Sequence, residues 1–345
     1  MKKTYNPAID VLRILAILSV VLIHTTTKTL EASSYDLQRL SWTLFLNQIF
    51  RFAVPLFFMI SGFVLELNYP FHANYVTYLK KRLSRIIIPY IFWSFIYYFI
   101  VYQHHNPSFF SELVTGGASY QLYFIPALLI FYLIFPIIHR YYKVFANKWI
   151  VIFLGIIELF LLYKEYYIHP FPYASPLKVV LLNYFMFLLG ILASHHQKTI
   201  VMFIQKWKIP MFLITVGLGS YVFFEGKNLY LKTSNYLSFY SQWRPSVFLY
   251  TFFLTGCLYF IFTKYQFFSS FIKTLSRLSL FVFFIHVLIL EIVWNTFGKN
   301  LFSITSTHIA ENLWYDPLFF IIIASLSFLA AYLVHKIPLI AKITS

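Results

Sequence analysis

The chain has 345 residues, of which 60% are hydrophobic, 22% aromatic and only 11% charged. Soluble domains carry about 25% charged residues, so a water-facing globule is excluded. The net charge of +16 does not indicate nucleic acid, because so apolar a chain has no broad basic face to offer; membrane topology accounts for it better.

A helix needs about 20 mostly apolar residues to cross the hydrocarbon of a bilayer. Ten such spans are predicted, near residues 8–27, 43–67, 86–102, 120–138, 149–166, 177–194, 209–225, 246–263, 278–297 and 316–335. The opening MKKTYNP followed by an apolar run has the outline of a signal peptide. No small-x-small cleavage site follows it, so the first span is read as an uncleaved helix. No internal repeat or separate polar domain interrupts the series. The expected fold is all-α, a polytopic membrane helical bundle forming one domain over residues 1–345. Cys257, the single cysteine, lies in an apolar run, which excludes a disulfide framework and a cysteine metal site.

Loop charges orient the bundle. With the N-terminus inside, seventeen Lys and Arg residues fall in inside segments, from Lys2 and Lys3 through Lys80, Lys81, Arg82 and Arg85 to Lys336 and Lys342. Seven fall outside: Lys28, Arg39, Lys164, Lys227, Lys232, Arg244 and Lys299. The acids Glu31, Asp36, Glu112, Glu165, Glu225, Glu311 and Asp316 are also assigned outside. Basic residues collect on the cytoplasmic side of a plasma membrane, so both termini are expected to be cytoplasmic.

Ionisable groups within spans cost roughly 2.5–3.5 kcal/mol each on insertion scales, which makes them functional candidates. In the first span, Arg13 lies near the inner interface and His24 in the outer third. Their separation is close to three helical turns, roughly 16 Å along one face. Arg13 reads equally as an interfacial charge paired with Asp10, and His24 as a histidine bonded between helices. Arg51 enters the second span from outside, at a depth comparable with His24; Pro55 and Gly62 are expected to loosen that helix. A structural pairing of Arg51 with Glu158 or Glu291 is the alternative. Arg82 and Arg85 share a face before Pro89, where they serve either as topological anchors or as planar forks for phosphate oxygens. His286 lies in the ninth span, near the inner edge of the core. There is no Gly-rich phosphate loop, no His-Glu-x-x-His and no serine-hydrolase elbow, so ATP-driven transport and zinc chemistry have no support and no metal site is expected.

The segments that carry these residues resemble the bacterial membrane-bound acyltransferases of acyltransferase family 3. LRILAILSVVLIH is similar to the family's first-helix signature, an arginine, ten residues and a histidine, here Arg13 and His24. VPLFFMISGF is similar to its second-helix motif, KKRLSRIIIPY to its Arg-x-x-Arg segment, YQLYFIPALLIFYLIFP to a further aromatic segment, and SLFVFFIH to a late motif. The resemblance covers all ten predicted spans. Gln121 stands where the family often has a histidine, and Leu280 and Phe283 replace tyrosines, which puts any hydroxyl role of the late motif in doubt.

The resemblance implies an integral-membrane O-acyltransferase that moves a short acyl group, such as acetyl, from cytoplasmic acyl-CoA to a hydroxyl of an extracytoplasmic or lipid-linked glycan. Acyl-CoA would be a donor substrate and not a bound cofactor. Its phosphates would sit at Arg13, Arg82 and Arg85, with His24 as general base and Arg51 orienting it or stabilising the oxyanion. Asp10, Glu158, His286 and Glu291 are secondary candidates. Membrane lipids and glycan-synthesis proteins are the expected neighbours. The competing reading is a membrane exporter or flippase of a polysaccharide or lipid-linked sugar, although no second copy of the Pro55–Gly62 element suggests an inverted repeat.

Overall fold

The computed structural model describes residues 6–33, 41–69, 75–104, 106–168, 175–233, 241–265, 270–305 and 309–337. The expected topology charges Lys2, Lys3, Asp36, Arg39 and Lys342, and the side chains of Lys81 and Glu311, lie outside the described residues. The described residues contain helices and no strand, as a chain that must satisfy its backbone within lipid requires.

Asn6 caps the first helix, Pro7–Ala32, its side chain accepting from the Ala8 N–H at 3.1 Å. Pro7 begins that helix where a missing N–H costs nothing. The second crossing has three parts: Ser41–Ile49, a 3-10 turn at Phe50–Phe52, and Ala53–Leu67. Pro55 has no N–H to offer the carbonyl of Arg51, and the ladder tightens at that point. Gly62 does not loosen the helix as expected. A β-carbon there would collide with the Phe187 carbonyl, and one at Gly190 with the Met59 carbonyl. The two glycines let Ala53–Leu67 and Tyr184–His195 pack backbone to backbone, as small residues do between membrane helices.

Among the described residues, seven helical segments are long and apolar enough to span a membrane: Pro7–Ala32, Ser41–Leu67, Tyr75–Val101, Lys208–Leu229, Pro245–Tyr265, Ser270–Phe302 and Leu313–His335. They coincide with seven of the ten predicted spans. The other three differ from these. Phe124–Arg140 has 17 residues, and Lys148–Tyr163 runs on through a π-helical turn, Lys164–Ile168, that brings Lys164 and Glu165 into the helix. The predicted 177–194 span is divided into Pro176–Leu181 and Tyr184–His195, and Gln197–Lys206 then turns away by 97°. Counted as one broken span, that bent pair raises the number to eight. A hydropathy window registers apolar content and misses such breaks.

Side-chain contacts define two ends of the bundle. Arg13 meets Ser276, His24 meets His286, and Lys28 meets Glu291. The first helix and Ser270–Val293 therefore run side by side in the same direction. The shorter segments also pass between the two ends. Phe124 packs on Phe283 near His24, while His139 at the other end of its helix bonds Glu66. Lys178 pairs with Glu165 at the His24 end, while His195 joins Glu66 at the Arg13 end.

Candidate active site

His24 lies on the wall of a cavity of about 490 Å³ that also presents Lys28, Arg51, Tyr120, Gln121 and Glu291. Its ring packs against two aromatic neighbours, with centroids 4.7 Å from Tyr120 and 5.4 Å from His286. His286 is fully buried, and its Nδ1 lies 3.0 Å from the Val282 carbonyl. That contact makes Nδ1 the donor. Nε2 is left as a buried acceptor, without a hydrogen-bond partner among the described residues. Beside the His24 ring there is thus a second imidazole with an open lone pair.

Arg51, in the 3-10 turn, is only 6% exposed, and its Nη2 donates to Asn47 Oδ1 at 2.5 Å. Neither acid considered in the sequence is its partner. Glu291 forms an ion pair with Lys28 at 2.7 Å. Glu158 is fully buried and accepts from the Phe185 N–H at 2.6 Å, at the start of the Tyr184–His195 helix.

The first helix does present Arg13 and His24 to the same neighbour. Arg13 donates to Ser276 Oγ at 2.9 Å and to Asp10 at 3.2 Å, and Ser276 in turn donates to Asp10 at 2.6 Å. Arg82 lies over the Tyr78 ring, 5.3 Å from its centroid. Arg85 is exposed and no contact joins it to Arg13 or Arg82.

Phenylalanine rings pack against one another between the two ends. Phe57 and Phe124 are 5.9 Å apart, Phe58 and Phe124 4.6 Å, Phe58 and Phe131 5.1 Å, and Phe124 and Phe283 5.7 Å. Phe57, Phe124 and Phe283 also line the His24 cavity. Phe283, which replaces a tyrosine of the family motif, is thus part of its apolar floor.

Several functional neighbours are placed differently from the sequence reading or have no counterpart in it. Tyr120, not singled out in the sequence, reaches His24 from a distant segment, and His286, expected near the inner edge of the core, lies beside His24 instead. Asn47, one helical turn before Arg51, was detectable by its i, i+4 spacing. Arg244 was assigned to an outer loop, but it is fully buried, donating to Gln48 Oε1 at 2.5 Å and to Glu225 at 3.3 Å. Asp316, likewise assigned outside, is buried and accepts from Thr29 at 2.9 Å and Thr43 at 2.5 Å. Lys178, inside a predicted span, neutralises Glu165 at 2.5 Å. Among the described residues, no group of three or more His, Cys, Asp or Glu residues has metal-ligand geometry.

Fold and site together define a polytopic helical membrane protein with a cavity lined by His24, Arg51 and Glu291 near one end of the bundle, and Arg13 and Arg82 toward the other. The family model described as "Acyltransferase domain" matches residues 6–336. The chain belongs to that family, acyltransferase family 3, and is by class an acyltransferase. It is similar to a Staphylococcus epidermidis protein named "Probable poly-beta-1,6-N-acetyl-D-glucosamine export protein", 25% identical over 316 residues that cover 81% of each chain. A Staphylococcus aureus (strain MSSA476) protein of the same name is 22% identical over 298 residues, covering 81% of this chain and 82% of that one. No solved structure matches.

Proposed function

We propose that the protein transfers a short acyl group from acyl-CoA, bound at the Arg13 end, to a hydroxyl of an extracytoplasmic or lipid-linked glycan held in the His24 cavity. The observation that carries this reading is His24 in a cavity with Arg51, on the same helix face as Arg13 but roughly 16 Å away. The excess of basic residues near Arg13 supports a cytoplasmic position for that end in the cell membrane. Both termini are then cytoplasmic, with ten crossings in all.

In this reading Arg13 and Arg82 hold donor phosphates, with Arg85 at the rim. The pantetheine arm passes the phenylalanine rings and sets the thioester carbonyl beside His24. An imidazole nitrogen of His24 takes the proton from the acceptor hydroxyl as its oxygen attacks that carbonyl. The Arg51 guanidinium stabilises the oxyanion of the tetrahedral intermediate. Collapse breaks the carbon–sulfur bond, forms the ester and releases CoA thiolate, which regains the proton. His286 supports His24 through ring contact and its open Nε2.

The test is His24→Ala in membranes supplied with acyl-CoA, with glycan esters measured by mass spectrometry. Ester formation should fall by about 10²-fold or more at unchanged protein abundance. Ester formation at the wild-type level removes the reading.

The names of the relatives favour a second reading, export of a β-1,6-linked N-acetylglucosamine polymer. A deletion strain separates the two: loss of esters with polymer still exported supports transfer, and loss of exported polymer supports export.

A further inference from the structure

Arg51 can act on a developing oxyanion only if its guanidinium is held in the cavity before the charge appears. Asn47 is placed to hold it. Its Oδ1 accepts from Arg51 Nη2 at 2.5 Å and from Gln48 Nε2 at 3.3 Å. Its Nδ2 faces the Ile23 carbonyl at 3.2 Å, Thr26 Oγ1 at 3.0 Å and Thr27 Oγ1 at 3.1 Å. The guanidinium on one side and a backbone carbonyl on the other fix which way the amide points. Ile23 immediately precedes His24, so a single fully buried side chain ties Arg51 to the backbone that carries the imidazole. Gln48 is held in turn by the fully buried Arg244, whose Nη2 donates to Gln48 Oε1 at 2.5 Å and whose Nη1 donates to the Val222 carbonyl at 3.2 Å. The chain of contacts thus extends from helix Lys208–Thr233 to the His24 cavity.

We propose that Asn47 is a positioning residue for acyl transfer: it sets the placement of Arg51 relative to His24, with Gln48 and Arg244 bracing it from behind. The proposal rests on the transfer reading of His24 and Arg51. Misplacement of a reacting group by about 1 Å can cost on the order of 10²-fold, and an effect confined to the transition state lowers kcat without raising KM.

The experiment compares Asn47→Ala, Asn47→Asp and Arg51→Ala, singly and combined, in the full-length protein in membranes with acetyl-CoA and the native glycan. Asn47→Ala should lower kcat by about 10- to 100-fold at unchanged KM for acetyl-CoA. Asn47→Asp keeps an oxygen to accept from Arg51 and should retain more activity than Asn47→Ala. In the Arg51→Ala background neither change should cost more, because both act through the missing guanidinium. Equal losses in the two backgrounds, or an aspartate no better than alanine, overturn the proposal while leaving Arg51 in place. If Asn47→Ala does not accumulate, Asn47→Asp measured in both backgrounds decides by the same additivity criterion. If Arg51→Ala transfers at the wild-type rate, the underlying role of Arg51 fails and the role of Asn47 fails with it.

Discussion

His24 and His286 face each other ring to ring, with centroids 5.4 Å apart, on two helices that also meet lower down at Arg13 and Ser276. The two contacts lie eleven residues apart on one helix and ten on the other, so the helices stay in register over about three turns. One interhelical seam therefore joins the guanidinium end to the imidazole end.

If that seam works as one unit, His286 and His24 are not independent. His286→Phe keeps the ring but loses Nε2, and should slow transfer by about 10-fold or more. Combined with His24→Ala it should add little, since groups that act together are strongly non-additive. Rates of ester formation for the two single variants and the double variant check this.

At the other end the two arginines of the Arg-x-x-Arg segment should separate. Arg82 is partly buried over Tyr78, whereas Arg85 is exposed. Arg82→Gln should raise the KM for acyl-CoA by roughly 10- to 100-fold, the worth of a charge-assisted hydrogen bond. Arg85→Gln should change it less. A drop in abundance with unchanged KM in both variants would make them topology anchors.

The Lys28–Glu291 pair lines the cavity and joins the same two helices. Removing either partner strands the other, so Lys28→Ala and Glu291→Ala should each cost more than half of what the double variant costs. A coupling of about 0.5–3 kcal/mol is expected. Thermal unfolding in detergent, followed by size-exclusion chromatography, provides the cycle.

Gly190→Ala should destabilise the fold, because the new β-carbon meets the backbone of Met59, which cannot yield as a side-chain tip can. A loss of about 1–3 kcal/mol is typical of overpacking. Gly256→Ala is the control: its β-carbon would lie 3.4 Å from Ile204 Cδ1, an ordinary contact with a flexible chain end. The same melting assay should distinguish the two.

Helical phase was legible in the first span, since Arg13 and His24 meet the same neighbouring helix, and Arg51 shares the His24 cavity as its assigned level suggests. The level assigned to His286 was not, because counting residues from a span's end ignores how its helix is offset against the next. Tyr120 and His286 could not be joined to His24 in this way, because tertiary packing alone brings the three together. Arg244 does lie in the non-helical segment that SQWRPS suggests, but its burial was not legible, because its partners Gln48 and Glu225 lie far off in the chain. Gly62 and Gly190 show a different gap: a glycine in a membrane helix reads as a weak point until the opposing backbone is known. The short Phe124–Arg140 helix and the break before Tyr184 were hidden by a hydropathy count that registers composition and not continuity.

The ring contacts of Phe57, Phe58, Phe124, Phe131 and Phe283 bear on bioenergetics as well as on catalysis. A membrane under voltage does about 2.3 kcal/mol of work on each elementary charge per 100 mV. If the acyl group crosses from one face to the other as proposed, it must do so through this packed aromatic layer without opening a wet path for ions, and only then would the modification leave the cell's electrochemical gradient intact.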